Sequence, residues 1–459
     1  MPIYERQQRE ELDQLVEGYT NGSLSRRAFL QRATALGLSL SFAGSILAAC
    51  GPSSSPSNPT SVDVLNVWSG PEQESFKAVV KPFTDQSGIT VKLESTRDLN
   101  ATLTTRIQGR NPPDIAILPN PGKMQQLAAQ GHLISLDNFL DMGQIQSQYS
   151  QGWIDLGSYN NKLYALFYKA ANKGTVWYSP KQFQANNYQI PKTWDEMIAL
   201  SDSIATSGKF PWAMGVSSGS ASGWPATDWI AEIYLNTSGP DLYDQWVAHK
   251  ISWTDDSIKN AWKMFGQIAG GKHYINGAPQ SILATGFQEA SYKPFDTPPT
   301  AYMYYLGDFT ETFIKDQFKD KVVAGTDFDF FPFPTINQQF ANSLTGGADV
   351  VTALTNNSAV KQLVQYMATP AAQAIWVKRG GFTATNKSVD ASSYPDQVAA
   401  KSASSLASAA HFRFGAGDLM PSQVQNAFWA GVLKFIGDQS QLDSVLGEIE
   451  GIAQQAYTG

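Results

Sequence analysis

From Val62 onward the apolar positions switch repeatedly between two periods. Val62-Asp-Val-Leu-Asn-Val-Trp68 is apolar-rich like a buried strand, and Phe76, Val79, Val80 and Phe83 recur at helical spacing across Pro71–Gln86. Ile89-Thr-Val-Lys-Leu93 alternates as a half-buried strand, and Leu99–Gln108 reads as a helix. Asn111-Pro-Pro-Asp114 then turns into a third strand, Ile115–Leu118, followed by a helix over Gly122–Gln130 that Gly131 closes. The order βαβαβα predicts an α/β fold with a parallel sheet covered on both faces. Ligands of such sheets sit beyond the carboxyl ends of the strands, so Trp68-Ser69-Gly70 and Pro119-Asn120 mark a candidate site.

Downstream the pattern changes character. Leu163–Tyr168 and Thr175–Tyr178 read as strands. Thr193–Ile204 reads as a helix with Thr193 as cap and Glu196 three residues on, the capping-box pattern. Phe210-Pro-Trp212 and Ser222–Trp229 read as aromatic loops, and Asp255–Ala269 is amphipathic. A late strand, Phe328–Pro334, leads to Gly346-Gly347-Ala-Asp349 and a strand over Val350–Leu354, after which helices dominate. No internal repeat is present.

The amino-terminal stretch reads as an address. Ser25-Arg26-Arg27-Ala-Phe29-Leu30 has the S-R-R-x-F-L form of a twin-arginine export signal. The uncharged run Ala35–Cys50, diluted by Gly37 and Gly44, falls short of the ~20 apolar residues that span a bilayer. It ends on Leu47-Ala-Ala-Cys50, which resembles a bacterial lipobox, where the cysteine receives diacylglycerol and becomes the new amino terminus. A Ser/Pro tether follows, with nothing to pack. Residues 1–49 are thus expected to be removed, Cys50 lipidated, and 50–61 to act as a tether at the outer face of the cytoplasmic membrane.

Composition narrows the function. The remaining length suggests two domains. Charge is only 16% while Trp, Tyr and Phe number 12, 18 and 24, which suits a surface that stacks on something flat and polar, although most aromatics fill cores. A net charge of −7 argues against nucleic acid or an anionic membrane surface as partner. One cysteine excludes an internal disulfide, and four scattered histidines give no metal-ligand spacing, so neither metal nor cofactor is expected.

Enzyme-like motifs are weak. Gly215-Val-Ser217-Ser-Gly219 fits the G-x-S-x-G nucleophile elbow, but Ser220–Pro225 reads as a loop where a helix is required, and His249, His273 and His411 lie in undistinctive contexts. Gly266 to Gly271-Lys272 nearly matches a phosphate loop, yet it ends a helix and His273 replaces the Ser/Thr. Asp327 and Asp329 share a strand face and could form a glycosidase pair, although solvated carboxylates are the commoner reading.

Taken in order, "VLNVWSGPEQESFKAVVKPFTDQSGITVKLE", "GRNPPDIAIL", "GHLISLDNFL", "NNKLYALFYKAANKGTVWYSPKQF", "PKTWDEMIAL", "VVTALTNNSAVKQLVQYMATPAAQAIWVKRGGFTATNKS" and "DLMPSQVQNAFWAGV" resemble the family 1 extracellular solute-binding proteins of bacterial ABC importers, the group containing maltose-binding protein, and within it the binders of α-glucosides and related oligosaccharides. The resemblance implies a type II periplasmic-binding fold. Its two discontinuous lobes would be 62–168 plus 335–380 and 169–334 plus 381–459, joined by a hinge, with "DFDFFPFP" and "GGFTATNKS" as return crossings and the ligand in the cleft. It implies a monomer without enzymatic activity that hands a carbohydrate to transmembrane permease subunits. Carried over position by position, the resemblance nominates Trp68, Glu72, Asn120, Lys173, Trp224, Tyr305, Asp308, Gly347, Asp349 and Trp429 as ligand contacts, with Asp228 and Arg413 added. Lys173 reverses the charge of an acidic cleft residue of the family, and the loop at Asn120 lacks that family's aromatic and acidic groups, so a different ligand pose is implied. Pyranose chemistry suits the set: rings cover the C–H face, and charged groups hydrogen-bond the hydroxyl rim. A surface hydrolase using Ser217, or a binder of another solute such as glycerol phosphate, is the alternative.

Overall fold

The computed structural model describes residues 59–458, apart from 271 and 272, together with Ala28 and Arg32. Apart from Ala28, the twin-arginine motif lies outside the described residues, as do Cys50, most of the tether, and Gly271 and Lys272 of the phosphate-loop match. From Thr60 to Thr458 the described residues form one compact unit.

The expected βαβαβα opening is present as β1 (Ser61–Asn66), α1 (Pro71–Ser87), β2 (Thr90–Ser95), a helix over Leu99–Gln108, β3 (Ile115–Leu118) and α2 (Pro121–Ala129). Period-2 alternation sorts its side chains. Val62, Val64, Ile115 and Ile117 face one core with Phe76, Val79 and Val80 of α1, while Leu65, Ala116 and Leu118 face another with Leu103 and Met124. Burial on both faces is why "IAIL" is apolar at every position.

The later strands are β4 (Ala165–Asn172), β5 (Thr175–Tyr178), β6 (Trp212–Ala213), β7 (Met303–Tyr305), β8 (Asp329–Pro332), β9 (Ser343–Ala353), β10 (Thr383–Ala384) and β11 (His411–Phe414). Among the described residues the larger sheet runs β10-β4-β9-β3-β1-β2, with β11 also on β9, and the smaller runs β8-β5-β7-β6. Each sheet carries its own lobe. The larger sheet is mixed rather than parallel: β1 pairs parallel to β2 and β3, whereas β9 runs antiparallel to β3 and β4.

The chain leaves the larger sheet at Lys173-Gly174, between β4 and β5, and returns between β8 and β9. Gly415 then leads from β11 into a short helix, Ala416–Leu419, and Ala416 and Met420 already belong to the second lobe's core. The expected lobe boundary at residue 380 does not follow the sheets, because β10 and β11 both pair within the larger one.

Two element expectations are corrected. Ser222–Trp229 is not a loop: α3 (Trp224–Val247) begins at Trp224, with Pro225 in its first turn, where a missing N–H costs nothing. β9 begins at Ser343 instead of Val350, since Gly346 and Gly347 sit inside the strand. α4 (Ser422–Gly437) packs on α3 and completes the second lobe's wall of the cleft. Among the described residues no helix is long and apolar enough to cross a membrane.

Candidate functional site

A cavity of about 430 Å3 lies between the lobes. The strands of the larger sheet, the loops after them and the start of α1 line one side with Trp68, Glu72, Arg97, Asn120, Lys169, Gly347 and Asp349. The second lobe lines the other with Ser218–Ser222, Trp224, Asp228, Phe287, Phe309, Asp418, Gln425 and Trp429. Lys173, at the crossing from β4 to β5, lies where the two walls meet.

Alternation along β4 turns Lys169, Ala171 and Lys173 to the cavity. A buried lysine requires a partner. Lys169 Nζ lies 2.5 Å from Glu72 Oε1, with both side chains nearly fully buried. Asp349 stands opposite Lys169 at a register shift in β9 and accepts from Trp68 Nε1 at 2.8 Å. Burial pushes the Asp349 carboxyl up to about 6 against the pull of Lys169. Lys173 donates to Asp228 at 2.8 Å and Asp418 at 3.0 Å. Burial lowers the Lys173 ammonium, but the two carboxylates outweigh it and hold the group above its ordinary value. Asp228 is pushed by burial up to about 6 in spite of Lys173, and its Oδ2 has no hydrogen-bond partner. Asn120 Oδ1 and Ser218 Oγ, on residues that also line the cavity, are likewise unpartnered. Burial lowers Arg97, whose guanidinium lies 5.0 Å from the Phe287 ring centroid and reaches Ser69 Oγ at 3.4 Å.

The second lobe supplies the rings. Trp224 and Trp429 are half-buried and line the cavity. Trp224 stands edge-on to Phe287 at 5.1 Å, and the Lys173 ammonium lies 5.9 Å from its centroid. Gly223, at φ +103°, begins α3 against the backbone of Trp429: a Cβ there would meet the Trp429 carbonyl oxygen at 2.6 Å. Only glycine fits both the left-handed conformation and that approach.

Nine of the twelve nominated residues therefore line one cavity: Trp68, Glu72, Asn120, Lys173, Trp224, Asp228, Gly347, Asp349 and Trp429. Trp68 is almost wholly buried, packed on Phe76 and Trp376, and turns its indole N–H to Asp349. Three lie elsewhere. Tyr305 is in the second lobe's core against Trp229, with its hydroxyl donating to the Asp228 carbonyl at 3.2 Å. Asp308 is buried and accepts from Thr383 and Ser402 at 3.0 and 2.8 Å. Arg413 forms a two-pronged pair with Asp244 at 2.6 and 2.8 Å.

Lys169, Arg97, Asp418, Gln425, Phe287 and Phe309 line the cavity without a nomination from the sequence. Lys169 had a signal, a cation inside the otherwise apolar strand ALFYKAAN. Arg97 had a weaker one, since it follows the carboxyl end of β2. Asp418 and Gln425 lie within the DLMPSQVQNAFW segment beside Trp429.

The enzyme-like residues occupy other settings. Ser217 is bridged by backbone to Thr285 and Phe287 and does not line the cavity. Asp329 is paired with Lys401, and Asp327 accepts from the Val323 N–H. No group of three or more metal-ligating side chains occurs among the described residues.

Two α/β lobes of discontinuous sequence, joined by crossing strands around a cavity with a charged wall and an aromatic wall, define a solute receptor of the type II periplasmic-binding class. The chain belongs to the bacterial extracellular solute-binding protein family, whose model matches residues 68–374. It is 34% identical to the osmoprotective compounds-binding protein GgtB of Synechocystis sp., over 82% of this chain and 88% of that protein. It is 32% identical to the alpha-glucosides-binding periplasmic protein AglE of Rhizobium meliloti, over 84% and 85%. The solved bacterial solute receptor AcbH, described as having an exclusive preference for b-D-galactopyranose, superposes with a TM-score of 0.76 at 19% identity, over 87% of this chain and 100% of that one, and so shares the fold.

Proposed function

We propose that this protein is the sugar-binding subunit of an ABC importer, capturing an α-glucoside or related small oligosaccharide between its lobes and delivering it to the permease. One observation carries the reading: half-buried Trp224 and Trp429 face a wall of Glu72, Arg97, Lys169 and Asp349 across about 430 Å3. A pyranose presents an apolar C–H face to the rings and hydroxyls to the charges, and charge-assisted hydrogen bonds to those hydroxyls are the strong ones. The names of the relatives, binders of alpha-glucosides and of osmoprotective compounds, support the same class. Lobe two is taken to close on lobe one about the crossing strands, a hinge motion. The chain acts as a monomer tethered through a lipid on Cys50 at the outer face of the cytoplasmic membrane.

Calorimetric titration with trehalose, sucrose, maltose, glycerol 3-phosphate and spermidine tests this. At least one of the three sugars should bind, and glycerol phosphate and spermidine should not. Trp224→Ala and Trp429→Ala should each weaken sugar binding at least tenfold, about the free energy of one stacked ring. Affinity within twofold of wild type in both variants would remove the aromatic wall from the site.

A further inference from the structure

Asn120, in the loop after β3, donates its side-chain N–H to Gln425 Oε1 at 2.8 Å, and both residues are buried. Asn120 belongs to the larger-sheet lobe and Gln425 to the first turns of α4 in the other, so this is a direct bond across the cleft. It is not isolated. Gln425 Nε2 donates to Asp418 Oδ1 at 3.0 Å, and Asp418 Oδ2 accepts from Lys173 at 3.0 Å. A continuous chain therefore runs from the crossing strand, through the second lobe, to the first lobe.

A second observation places backbone contact at the same seam. Gly122, two residues after Asn120, packs so closely on the turn before α4 that a Cβ would lie 2.4 Å from the Met420 carbonyl oxygen and 2.7 Å from that of Leu419. Ser422 Oγ reaches Gln126 Oε1 alongside at 3.3 Å. Farther out, the Ser220 N–H meets Asp98 Oδ1 at 3.1 Å, but that contact is exposed and competes with water. The buried seam is the stronger one, because it does not compete with water while the lobes are closed, and truncating one partner there leaves the other's amide buried and unpaired.

We propose, resting on the reading of this cavity as the solute site, that Gln425 is a positioning residue: it latches the lobes together, and the affinity for solute is set in part by this seam rather than by contacts to the solute. The latch biases the receptor toward closure before solute arrives, so a population closed without solute is part of the affinity for every ligand alike.

The test compares wild type, Gln425→Ala and Gly122→Ala. Affinities for trehalose, sucrose and maltose should fall in both variants by a common factor of about ten, the free energy of one buried hydrogen bond. The ratios between sugars should stay within twofold. Dissociation should accelerate while association is unchanged. Spin labels placed on the two lobes should report a smaller closed population in both variants without any sugar. The latch is overturned by Gln425→Ala affinities within twofold of wild type. It is overturned equally by ratios that shift between sugars, which would make Gln425 a solute contact, or by ligand-free distance distributions that superimpose. The last measurement does not depend on which sugar binds, so it separates failure of the latch from failure of the sugar reading.

Discussion

The buried ion pair Lys169–Glu72 is the most sharply constrained feature of the site. Removing one partner strands the other charge in a dry interior, a cost of about 3 kcal/mol or more. Lys169→Met should therefore lower the melting temperature by several degrees, and adding Glu72→Gln should restore most of it, as measured by thermal unfolding of both variants. If the double variant melts no higher than the single one, the pair does not carry that energy. Lys169 is visible in the sequence only as an anomaly, a cation amid apolar neighbours. Its partner lies 97 residues away on α1, a pairing that no local spacing encodes. Asp308 and Tyr305 show the converse. Both fall at sequence positions that suit a ligand contact, and both are turned into the interior by β7 and the loop after it.

At the scale of elements, α3 places Asp228, Glu232 and Asn236 on one face at four-residue spacing, against the crossing strands. Glu232 accepts from the Thr345 N–H at 2.7 Å and its hydroxyl at 2.5 Å, and burial pushes its carboxyl up to about 7. Asp228 and Asp349 are pushed up to about 6, from ordinary values near 3.8. A carboxyl whose folded pKa exceeds its unfolded one holds its proton more tightly when folded, so its contribution to stability falls as pH rises through the interval between the two. All three groups act this way between about pH 4 and 7. Lys173, raised above its ordinary value, contributes stability throughout that interval and loses it only at alkaline pH. The ligand-free protein should therefore melt higher at pH 5 than at pH 7.5, with a smaller difference in Glu232→Gln; a lower melting temperature at pH 5 would contradict the burial of these charges. The helices and strands of residues 61–129 are legible because apolar period and turn residues agree there. The first half of β9 and the start of α3 are not, because Gly346, Gly347 and Pro225 read locally as breakers, whereas the sheet and the helix's first turn accommodate them.

For the whole molecule, length alone suggests two domains, but the discontinuous two-lobe plan could be inferred only through the resemblance, since sheet membership alternates along the chain. The proposed lipid anchor belongs to this scale as well. A diacyl chain on Cys50 and a Ser/Pro tether would hold the receptor beside its permease. Cys50→Ala should move the protein from the membrane to the soluble fraction on cell fractionation without altering solute affinity; retention in the membrane would point to another attachment.

Gly223 carries one more implication. By seating the start of α3 on the Trp429 backbone, it makes the two cavity tryptophans a joint gauge that shares one close backbone contact. The opposite wall is assembled from several elements: the start of α1, the segments after β1, β2 and β3, and strands β4 and β9. Descendants of this receptor that come to prefer a different solute should accordingly accumulate their changes at Arg97, where neither the Lys169–Glu72 pair nor the Asn120–Gln425 bond is disturbed, leaving the aromatic gauge as an inherited ruler against which new hydroxyl patterns are measured.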